Sequence, residues 1–453
     1  MGEAMSGNGL RAVVVGRSIA GLAAAAALSR HFNEVIIVDR DPDRATAEPR
    51  PGVGQGHHYH ALAQGGQQAL ERLLPGAVAE LQAAGAVEFS FALDFRFYDS
   101  GTWHPNRDLG FTSLNATRGL IEHVVLERLR RESAVQVRGS CKLERLLFQD
   151  AGAEAGRVIG LEVRGTDGAI ESITADLVID CTGRVSKVPE VLVQRGYDPV
   201  QQFALNIGIS YTSAIFRAPA DAAGGFKSVA VLPEPPVKRG GFVAMLQDGA
   251  WIVSLHTRFE KELPKTYDEM LAFAETIEAP DVADFLGRAT PESEIRSFRK
   301  GEAIWRRFDK LTRFPDGLLV LGDAMASFNP IFGQGMSVAW LEAGALDDVL
   351  AARSASGSGL DGISGEFFPA AMTVSRAAWS SSTLVDSAYD EVTGDRNPNA
   401  ARNIHLMKGF RRLLHDDPQL HADMIAVGQM TATGDALFTP DRMARAMVAA
   451  ETH

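Results

Sequence analysis

Residues 10–41 read LRAVVVGRSIAGLAAAAALSRHFNEVIIVDRD. An apolar, β-branched run leads through a glycine turn into an alanine-rich segment, and a second apolar run follows and ends at Asp39. This order predicts a strand, a helix and a second strand, which together form one βαβ unit. Because such a unit pairs its strands in parallel and covers them with the helix, the stretch predicts an α/β fold with a Rossmann-like domain.

The glycine turn of this unit carries the residues that dinucleotide binding requires. Gly16 and Gly21 stand where a G-x-G-x-x-G turn has its first and third glycines, and Ser18 replaces the second. Gly16 allows the tight turn, Gly21 lets the helix pack on the strand, and free N–H groups at the helix start favour a pyrophosphate. Asp39 ends the second strand, where an acidic side chain binds ribose hydroxyls. The alternative is an ordinary βα turn that carries two glycines.

A second glycine-rich stretch, residues 322–336, reads GDAMASFNPIFGQGM. It follows an apolar run, begins with Gly322 and Asp323, and leads through Pro330 and two further glycines into a predicted helix. A carboxylate at a strand end suits the hydroxyls of a sugar-like chain, and a second helix N-terminus suits a second negative charge. One long ligand held at both turns accounts for both stretches.

Composition excludes several other classes of protein. The 453 residues suffice for two or three domains, and with 45 basic against 57 acidic residues the net charge is −12, so nucleic acid is not an expected partner. Cys141 and Cys181 provide neither a disulfide framework nor a metal-ligand set, and they fit a reducing cytoplasm. Neither residues 1–11 nor the longest apolar stretch, Ile19–Leu28, has the length of a signal or membrane-spanning segment. We therefore expect a cytoplasmic protein without a transmembrane segment.

The remaining patterns predict the other elements. Aromatic and apolar residues at period two from Phe89 to Phe97 predict one strand with an apolar face. Residues 119–132 predict a helix, and residues 158–183 predict a hairpin followed by a buried strand. Short β-like runs over residues 201–258 predict a mainly β second domain inserted into the first.

Three stretches, taken with the first turn and Asp39, resemble a known family. They are RPGVGQGHHYHAL (50–62), VIDCTGR (178–184) and LGDAMASFNPIFGQGM (321–336). They look like the FAD-dependent monooxygenases of the para-hydroxybenzoate hydroxylase fold, and they are most similar to the bacterial squalene-epoxidase-like flavin epoxidases of polyether biosynthesis. The resemblance covers residues 10–350 in motif order, and the late stretch is its most specific part.

The resemblance implies a set of cofactor-binding residues. They are Gly16, Ser18, Gly21, Asp39, Arg40, Arg50, Arg118, Gly322, Asp323, Pro330, Gly333, Gly335 and Met336. The first turn would hold the FAD pyrophosphate, and Asp39 would bind the adenosine ribose. Arg50 and Arg118 would contact the pyrophosphate and the ribityl region, and Asp323 would bind the ribityl chain.

The resemblance also implies catalytic positions in the late loop. Pro330 would lie beside the flavin ring, and the amides of Gly335 and Met336 would face the ring edge that becomes negative on reduction, which a helix N-terminus stabilises. The predicted substrate pocket contains three aromatic residues, Phe91, Phe95 and Phe97. The alternative for these aromatics is a plain sheet core.

The sequence departs from the family pattern at two places. The common Asp-Gly pair after the middle strand is Thr182-Gly183 here, so the electron source stays open between NAD(P)H used directly and a partner flavin reductase. His57 stands where the epoxidases have Arg. His57, His58 and His60 lack Cys or carboxylate companions at ligand spacing, so we predict packing near the cofactor and no metal site.

We predict three regions. The FAD-binding domain comprises residues 10–85, 105–185 and 295–350, and the substrate domain comprises residues 86–104 and 186–294. A Ser/Gly-rich connection after Leu350 opens a C-terminal helical region over residues 351–453.

The predicted function follows from the cofactor and the cavity. In this family reduced flavin and molecular oxygen form a flavin 4a-hydroperoxide, whose distal oxygen is transferred to the substrate. A phenol needs a base, whereas an alkene needs only an apolar cavity, and no Tyr or His in the cavity strands GGFVAML and AWIVSL has the spacing of such a base. We therefore predict a monooxygenase that epoxidises an alkene of an apolar polyketide, terpenoid or prenylated aromatic. The alternatives are an aromatic ring hydroxylase, an FAD-dependent halogenase, for which a W-x-W-x-I-P stretch is missing, and a flavin-binding protein without turnover.

Overall fold

A computed structural model describes residues 9–43, 46–149 and 156–451. The remaining residues are 1–8, 44–45, 150–155 and 452–453. Most of the N-terminal stretch 1–11, for which the sequence predicts no signal segment, therefore lies outside the described residues. Within the described ranges no helix is both long enough and apolar enough to cross a membrane.

The strands of the described chain form four sheets. In chain order they are β1 (Arg11–Val15), β2 (Glu34–Val38), β3 (Ala61–Leu62), β4 (Val87–Ser90), β5 (Phe95–Asp99), β6 (Thr102–Trp103), β7 (Thr112–Asn115), β8 (Val135–Arg138), β9 (Lys142–Gln149), β10 (Arg157–Arg164), β11 (Ile170–Thr174), β12 (Leu177–Asp180), β13 (Gln202–Arg217), β14 (Ser228–Val231), β15 (Arg239–Met245), β16 (Trp251–Arg258), β17 (Thr290–Pro291), β18 (Arg296–Arg306), β19 (Leu318–Val320), β20 (Ala326–Ser327) and β21 (Thr393–Gly394).

The α-helices of the described chain occur along its whole length. They are α1 (Ile19–Leu28), α2 (Gln64–Leu73), α3 (Ala77–Ala83), α4 (Arg118–Arg130), α5 (Val188–Gln194), α6 (Tyr267–Ala274), α7 (Asp281–Leu286), α8 (Gly335–Ser356), α9 (Ser364–Asp386), α10 (Ala400–Leu413), α11 (Pro418–Gly428) and α12 (Pro440–Glu451).

The first sheet is parallel, in the order β19-β12-β1-β2-β8. Residues 12–14 of β1 and the valine and isoleucine residues of β2 are almost fully buried, as expected for strands covered on both faces. The sheet and the βαβ unit confirm the predicted α/β fold with a Rossmann-like domain. The parallel pairing brings the carboxyl ends of β1, β12 and β19 to one edge, although β19 follows β1 by about three hundred residues.

A larger, mostly antiparallel sheet packs above that edge, in the order β20-β18-β13-β16-β15-β14-β5-β6. Its outer face packs against α6 and α7 through a core that includes Phe216, Trp251 and Phe285. We call the opposite face the inner face; it includes Phe95, Phe97, Ile209, Tyr211, Phe242, His256 and Arg258. Register partners across antiparallel strands project from the same face, and Tyr211 pairs with His256 while Ile209 pairs with Arg258.

The single strand predicted from Phe89 to Phe97 is wrong. The stretch forms β4 and β5, which belong to different sheets, with a turn over residues 91–94 between them. Asp94 closes this turn, because its N–H donates to the Ser90 carbonyl at 2.8 Å and its carboxylate accepts the Ser90 N–H at 3.0 Å. An aspartate that bonds the backbone of its own turn therefore overrides the period-two pattern.

Two helix predictions differ from the structure only at their ends. The helix predicted over residues 119–132 is α4, which begins one residue earlier because the Thr117 hydroxyl accepts the Leu120 N–H and caps it. The Ser/Gly-rich connection predicted after Leu350 begins later, because α8 continues to Ser356 and ends at Gly357.

Candidate cofactor and substrate site

The first glycine turn connects β1 to α1 and needs glycine at two positions. Gly16 has a φ of +103°, and a Cβ there would lie 2.6 Å from the Cys181 carbonyl oxygen. A Cβ on Gly21 would lie 1.7 Å from the Gly16 carbonyl oxygen, so α1 approaches the turn too closely for any side chain. Ser18 is the N-cap of α1, which has no acidic side chain in its first turn. The turn therefore presents a helix N-terminus that is free to bind an anion.

Asp39 ends β2 beside this turn. Its carboxylate accepts the backbone N–H of Arg17 at 2.6 Å and that of Asp41 at 2.7 Å, and it pairs with Arg50 at 3.2 Å. A carboxylate offers about four acceptor positions. Three are used, so one remains for a ligand hydroxyl.

Glu122 of α4 joins the arginines of the same edge. Its carboxylate accepts from the Ser18 hydroxyl at 2.7 Å, and it pairs with both Arg118 and Arg50 at 2.9 Å. Burial alone would raise the pKa of the Glu122 carboxyl, but Arg118 and Arg50 outweigh burial and hold that pKa below its ordinary value. We call these five residues, Ser18, Asp39, Arg50, Arg118 and Glu122, the cofactor edge. Glu122 was not among the predicted site residues, although its spacing of four residues from Arg118 on one helix is a usable signal.

A cavity opens beside the cofactor edge. Its lining includes Arg17, Pro49, Arg50, Glu122 and His123. The Arg17 side chain is buried, and its Nε has no hydrogen-bond partner among the described residues. An unpartnered guanidinium N–H next to two further arginines is the donor set expected for a phosphate ligand.

The late glycine turn lies directly against the first one. Gly322 has a φ of +73°, and a Cβ there would lie 2.5 Å from the Cβ of Ala20 in α1. Its N–H donates to Glu342 of α8 at 2.8 Å, and the other oxygen of this carboxylate accepts from Ser375 at 2.5 Å. Burial raises the pKa of the Glu342 carboxyl to about 7. The two turns thus share one site, as the predicted two-point ligand requires.

Asp323 follows Gly322 and faces two neighbouring segments. Its carboxylate accepts from Ser327 at 3.1 Å, and a Cβ on Gly183 would lie 3.8 Å from its own Cβ. The Thr182-Gly183 loop after β12, where the family has Asp-Gly, therefore packs against the late turn. The Lys300 ammonium donates to Ser327 at 2.7 Å and to the Phe328 carbonyl, which places a buried cation behind this turn.

The late loop continues over residues 329–336 to the start of α8. Cβ atoms built on Gly333 and Gly335 would have no neighbour within 4 Å, whereas Met336 is buried. The loop and the helix N-terminus therefore border open space, which an anionic or aromatic ligand edge can occupy. Pro330 lies in the same loop and is partly exposed.

The residues at these two turns fit FAD. The arginines and the helix N-terminus of the first turn would hold the pyrophosphate, Asp39 the ribose, and Asp323 the ribityl hydroxyls. Arg40 lies apart from this group, because its side chain is exposed and its Nη2 donates to the Gly52 carbonyl at 3.4 Å. When bound, FAD supplies the redox chemistry that activates molecular oxygen.

The histidines of residues 57–60 pack near the inner face. The Nδ1 of His58 lies 2.7 Å from the Ser213 hydroxyl, and the Nδ1 of His60 lies 2.8 Å from the His58 carbonyl oxygen. Burial lowers the pKa of His58 to about 4 and that of His60 to about 3. In the part of the chain that the structure describes, no group of three or more His, Cys, Asp or Glu side chains is arranged to hold a metal ion.

The inner face carries polar groups that were not among the predicted site residues. Tyr211 and His256 are buried side by side, and neither the Tyr211 hydroxyl nor either His256 ring nitrogen has a partner among the described residues. Arg258, further along β16, forms an ion pair with Asp386 of α9. The prediction that no Tyr or His in the cavity strands has the spacing of a phenol-activating base did not consider Tyr211 on β13 or His256, which follows the stretch AWIVSL directly on β16.

The predicted pocket aromatics form one cluster. The ring centroids of Phe91 and Phe95 are 4.9 Å apart, and those of Phe95 and Phe97 are 5.5 Å apart. Phe95 and Phe97 project from the inner face, while Phe91 belongs to the turn that separates β4 from β5.

Comparison with known proteins identifies the family. The family model described as "FAD binding domain" matches residues 10–378, which include both glycine turns and the inner face. The chain belongs to this family. Protein Rv3254 of Mycobacterium tuberculosis is 32% identical over 416 residues, which cover 90% of this chain and 87% of that protein. A kynurenine 3-monooxygenase of Salinispora tropica is 25% identical over 366 residues, which cover 76% of this chain and 73% of that protein.

A solved structure shows the same fold. PqsL of Pseudomonas aeruginosa, a probable FAD-dependent monooxygenase, has a TM-score of 0.65 at 17% identity and covers 84% of this chain and 97% of its own. The family match therefore gives FAD as the cofactor of this protein.

Proposed function

We propose that the enzyme transfers one oxygen atom from molecular oxygen to an alkene of a largely apolar natural product, forming an epoxide. The substrate would lie between the late loop and the inner face. Pro330, Gly335 and Met336 would border the reacting part of the cofactor, and the aromatic cluster of Phe91, Phe95 and Phe97 would contact the apolar body of the substrate. The observation that carries this proposal is that two histidines at the inner face, His58 and His256, are buried and weakly basic.

Oxygen transfer to a phenol needs a base strong enough to take the phenolic proton. Burial lowers the pKa of His256 to about 3 and that of His58 to about 4, so both rings are neutral and weakly basic near pH 7. Burial raises the pKa of the Tyr211 hydroxyl, which therefore keeps its proton. A phenol has a pKa near 10, which is roughly six to seven units above the pKa values of these imidazoles. An alkene requires no such base, and a dry aromatic surface suffices for it.

Aromatic ring hydroxylation is the second candidate. It is supported by the similarity to a kynurenine 3-monooxygenase, whose name describes such a reaction. Asp386 is the base that this alternative would use, because burial raises the pKa of its carboxyl and one of its oxygens has no partner among the described residues. The two candidates therefore differ in whether a carboxylate at the inner face acts as a base.

We also propose that electrons come from a partner flavin reductase. Thr182-Gly183 replaces the Asp-Gly pair that the resemblance connects with NAD(P)H, and this loop packs against Asp323. If a partner supplies the electrons, turnover should require the added flavin reductase. NADPH or NADH without that reductase should not sustain turnover.

The test of the proposed function is turnover under ¹⁸O₂ with a supplied flavin reductase. Matched prenylated and plain phenolic compounds serve as substrates. We expect one labelled oxygen at the prenyl alkene, as an epoxide or its rearrangement product, and none in the plain phenol. Label in the aromatic ring alone would show that epoxidation is wrong and that hydroxylation is correct; no label in any product would contradict both.

A further inference from the structure

The ion pair between Arg258 and Asp386 joins the inner face to the end of α9. Nη2 of Arg258 lies 2.8 Å from Oδ1 of Asp386, and the two side chains are 1% and 0% exposed. The guanidinium carbon lies 4.5 Å from the ring centroid of Tyr389, which covers one face of the cation. The pair is therefore held in place from two sides.

Each partner of this pair keeps unused hydrogen-bonding groups. Nε and Nη1 of Arg258 have no hydrogen-bond partner in the described chain, and neither has Oδ2 of Asp386. A buried charged group that lacks part of its hydrogen bonds costs free energy, and native structures rarely leave one so. Two such groups in contact indicate that a further molecule completes them.

Other unpartnered groups lie on the same face. The Tyr211 hydroxyl and both ring nitrogens of His256 have no partner among the described residues, and Arg258 follows His256 by two positions on β16. Residues two apart on a strand share a face. Tyr211, His256 and Arg258 therefore place several unsatisfied donors and acceptors together on the inner face, although buried unpartnered groups also occur elsewhere in the described chain.

The pair also contacts the late loop. Asn329 donates from Nδ2 to Oδ1 of Asp386 at 2.7 Å, and Pro330 follows it directly. A group bound at the pair would therefore lie next to the loop that borders the cofactor.

We propose that Arg258 and Asp386 bind the polar end of the substrate, and that this end is a neutral group with a carbonyl acceptor beside an O–H or N–H donor. This inference rests on the proposed substrate site.

The chemistry of the pair selects that class. The free N–H groups of Arg258 need an acceptor, and the free oxygen of Asp386 needs a donor. An amide or an enolised dicarbonyl supplies both. A carboxylate supplies acceptors only, and its charge would face the Asp386 carboxylate in a buried site, which disfavours binding. The substrate class is therefore an apolar chain or ring system with one such neutral head.

Equilibrium binding to the FAD-loaded enzyme tests this inference. The probes are undec-10-enamide, undec-10-enoate and 1-undecene, which share an apolar chain and differ in the head group. Wild type should bind the amide at least about tenfold more tightly than the carboxylate. Arg258→Met should weaken amide binding by about 10- to 100-fold and leave 1-undecene within about twofold. Asp386→Asn removes the repelling charge, so it should reverse the preference and favour the carboxylate.

The matched control is Thr257→Val, which changes the neighbouring residue on the opposite face of β16 and should leave all three affinities unchanged. Equally weakened binding of all three probes in Arg258→Met and Asp386→Asn would indicate a purely structural pair and overturn the inference. An unchanged ratio of amide affinity to carboxylate affinity in Asp386→Asn would also overturn it. So would a wild-type enzyme that does not bind the amide. These measurements need neither electrons nor oxygen. Head-group selection without labelled product would therefore contradict only the proposed reaction, and labelled product without head-group selection would contradict only this inference.

Discussion

The cofactor edge and the inner face are both buried and both carry polar side chains, but they differ in how those side chains are satisfied. At the cofactor edge Glu122 bonds Ser18, Arg50 and Arg118, so the protein provides partners before any ligand arrives. On the inner face Tyr211 and His256 lack partners altogether among the described residues. The comparison indicates that the first site is preorganised by the chain itself, whereas the second depends on its ligand.

The largest effect should come from removing the carboxylate at the cofactor edge. Glu122→Leu leaves Arg50 and Arg118 without their shared partner, so we expect the free energy of unfolding to fall by about 3 kcal/mol in the absence of FAD. Chemical denaturation measures this change. Glu127→Leu, at a partly exposed position of the same helix, is the control and should change stability by less than about 0.5 kcal/mol. Equal stability of the two variants would show that the edge is not preorganised.

Glu342, which accepts the Gly322 N–H of the late turn, should make the free energy of unfolding depend on pH. Its carboxyl has a pKa of about 7 in the folded protein against 4.5 ordinarily, so the folded state retains the proton that the unfolded state releases. The contribution of this group to stability is full below about pH 4.5 and is lost as the pH rises to about 7, by roughly 3 kcal/mol.

Glu342→Gln removes this titration. Unfolding free energies of the variant and wild type, measured from pH 4.5 to 7.5 without FAD, should differ increasingly in favour of the variant as the pH rises. Glu262→Gln, at an exposed position, serves as control and should follow wild type. A difference that stays constant over this range would contradict the assignment of the raised pKa to Glu342.

A two-point cofactor site predicts smaller losses at each point. Asp39→Ala and Asp323→Ala each remove an acceptor for buried hydroxyls, so each should weaken FAD binding by roughly 1–3 kcal/mol. Titration followed by flavin fluorescence gives the affinities, and the exposed Asp348→Ala is the control. If both variants bind FAD as wild type does, the two turns do not hold the same ligand.

The smallest effect is expected on the inner face. Tyr211→Phe removes a buried hydroxyl that has no partner, so stability in the absence of substrate should stay equal or rise by about 1 kcal/mol. Thermal and chemical unfolding both report the change. A clear loss of stability would mean that the hydroxyl is already satisfied, and the contrast between the two regions would then disappear.

The sequence by itself determined the parts of this protein that depend on neighbouring residues. The βαβ unit, the glycine turn after β1, the helix that follows the late loop and the acid at the end of β2 are all signalled within a few dozen residues, because periodicity, turn chemistry and helix starts are local. The same stretches carried the resemblance to the family to which the chain belongs.

Tertiary structure alone decided which distant residues meet. Asp94 closes a turn inside an aromatic pattern that predicts one strand, and only the sheet pairing shows that β4 and β5 lie in different sheets. Arg258 and Asp386 come from different elements, and their contact depends on how α9 returns to the late loop. Local patterns specify elements, whereas the burial and partners of a charged side chain depend on packing between elements far apart in the chain, which no local pattern records.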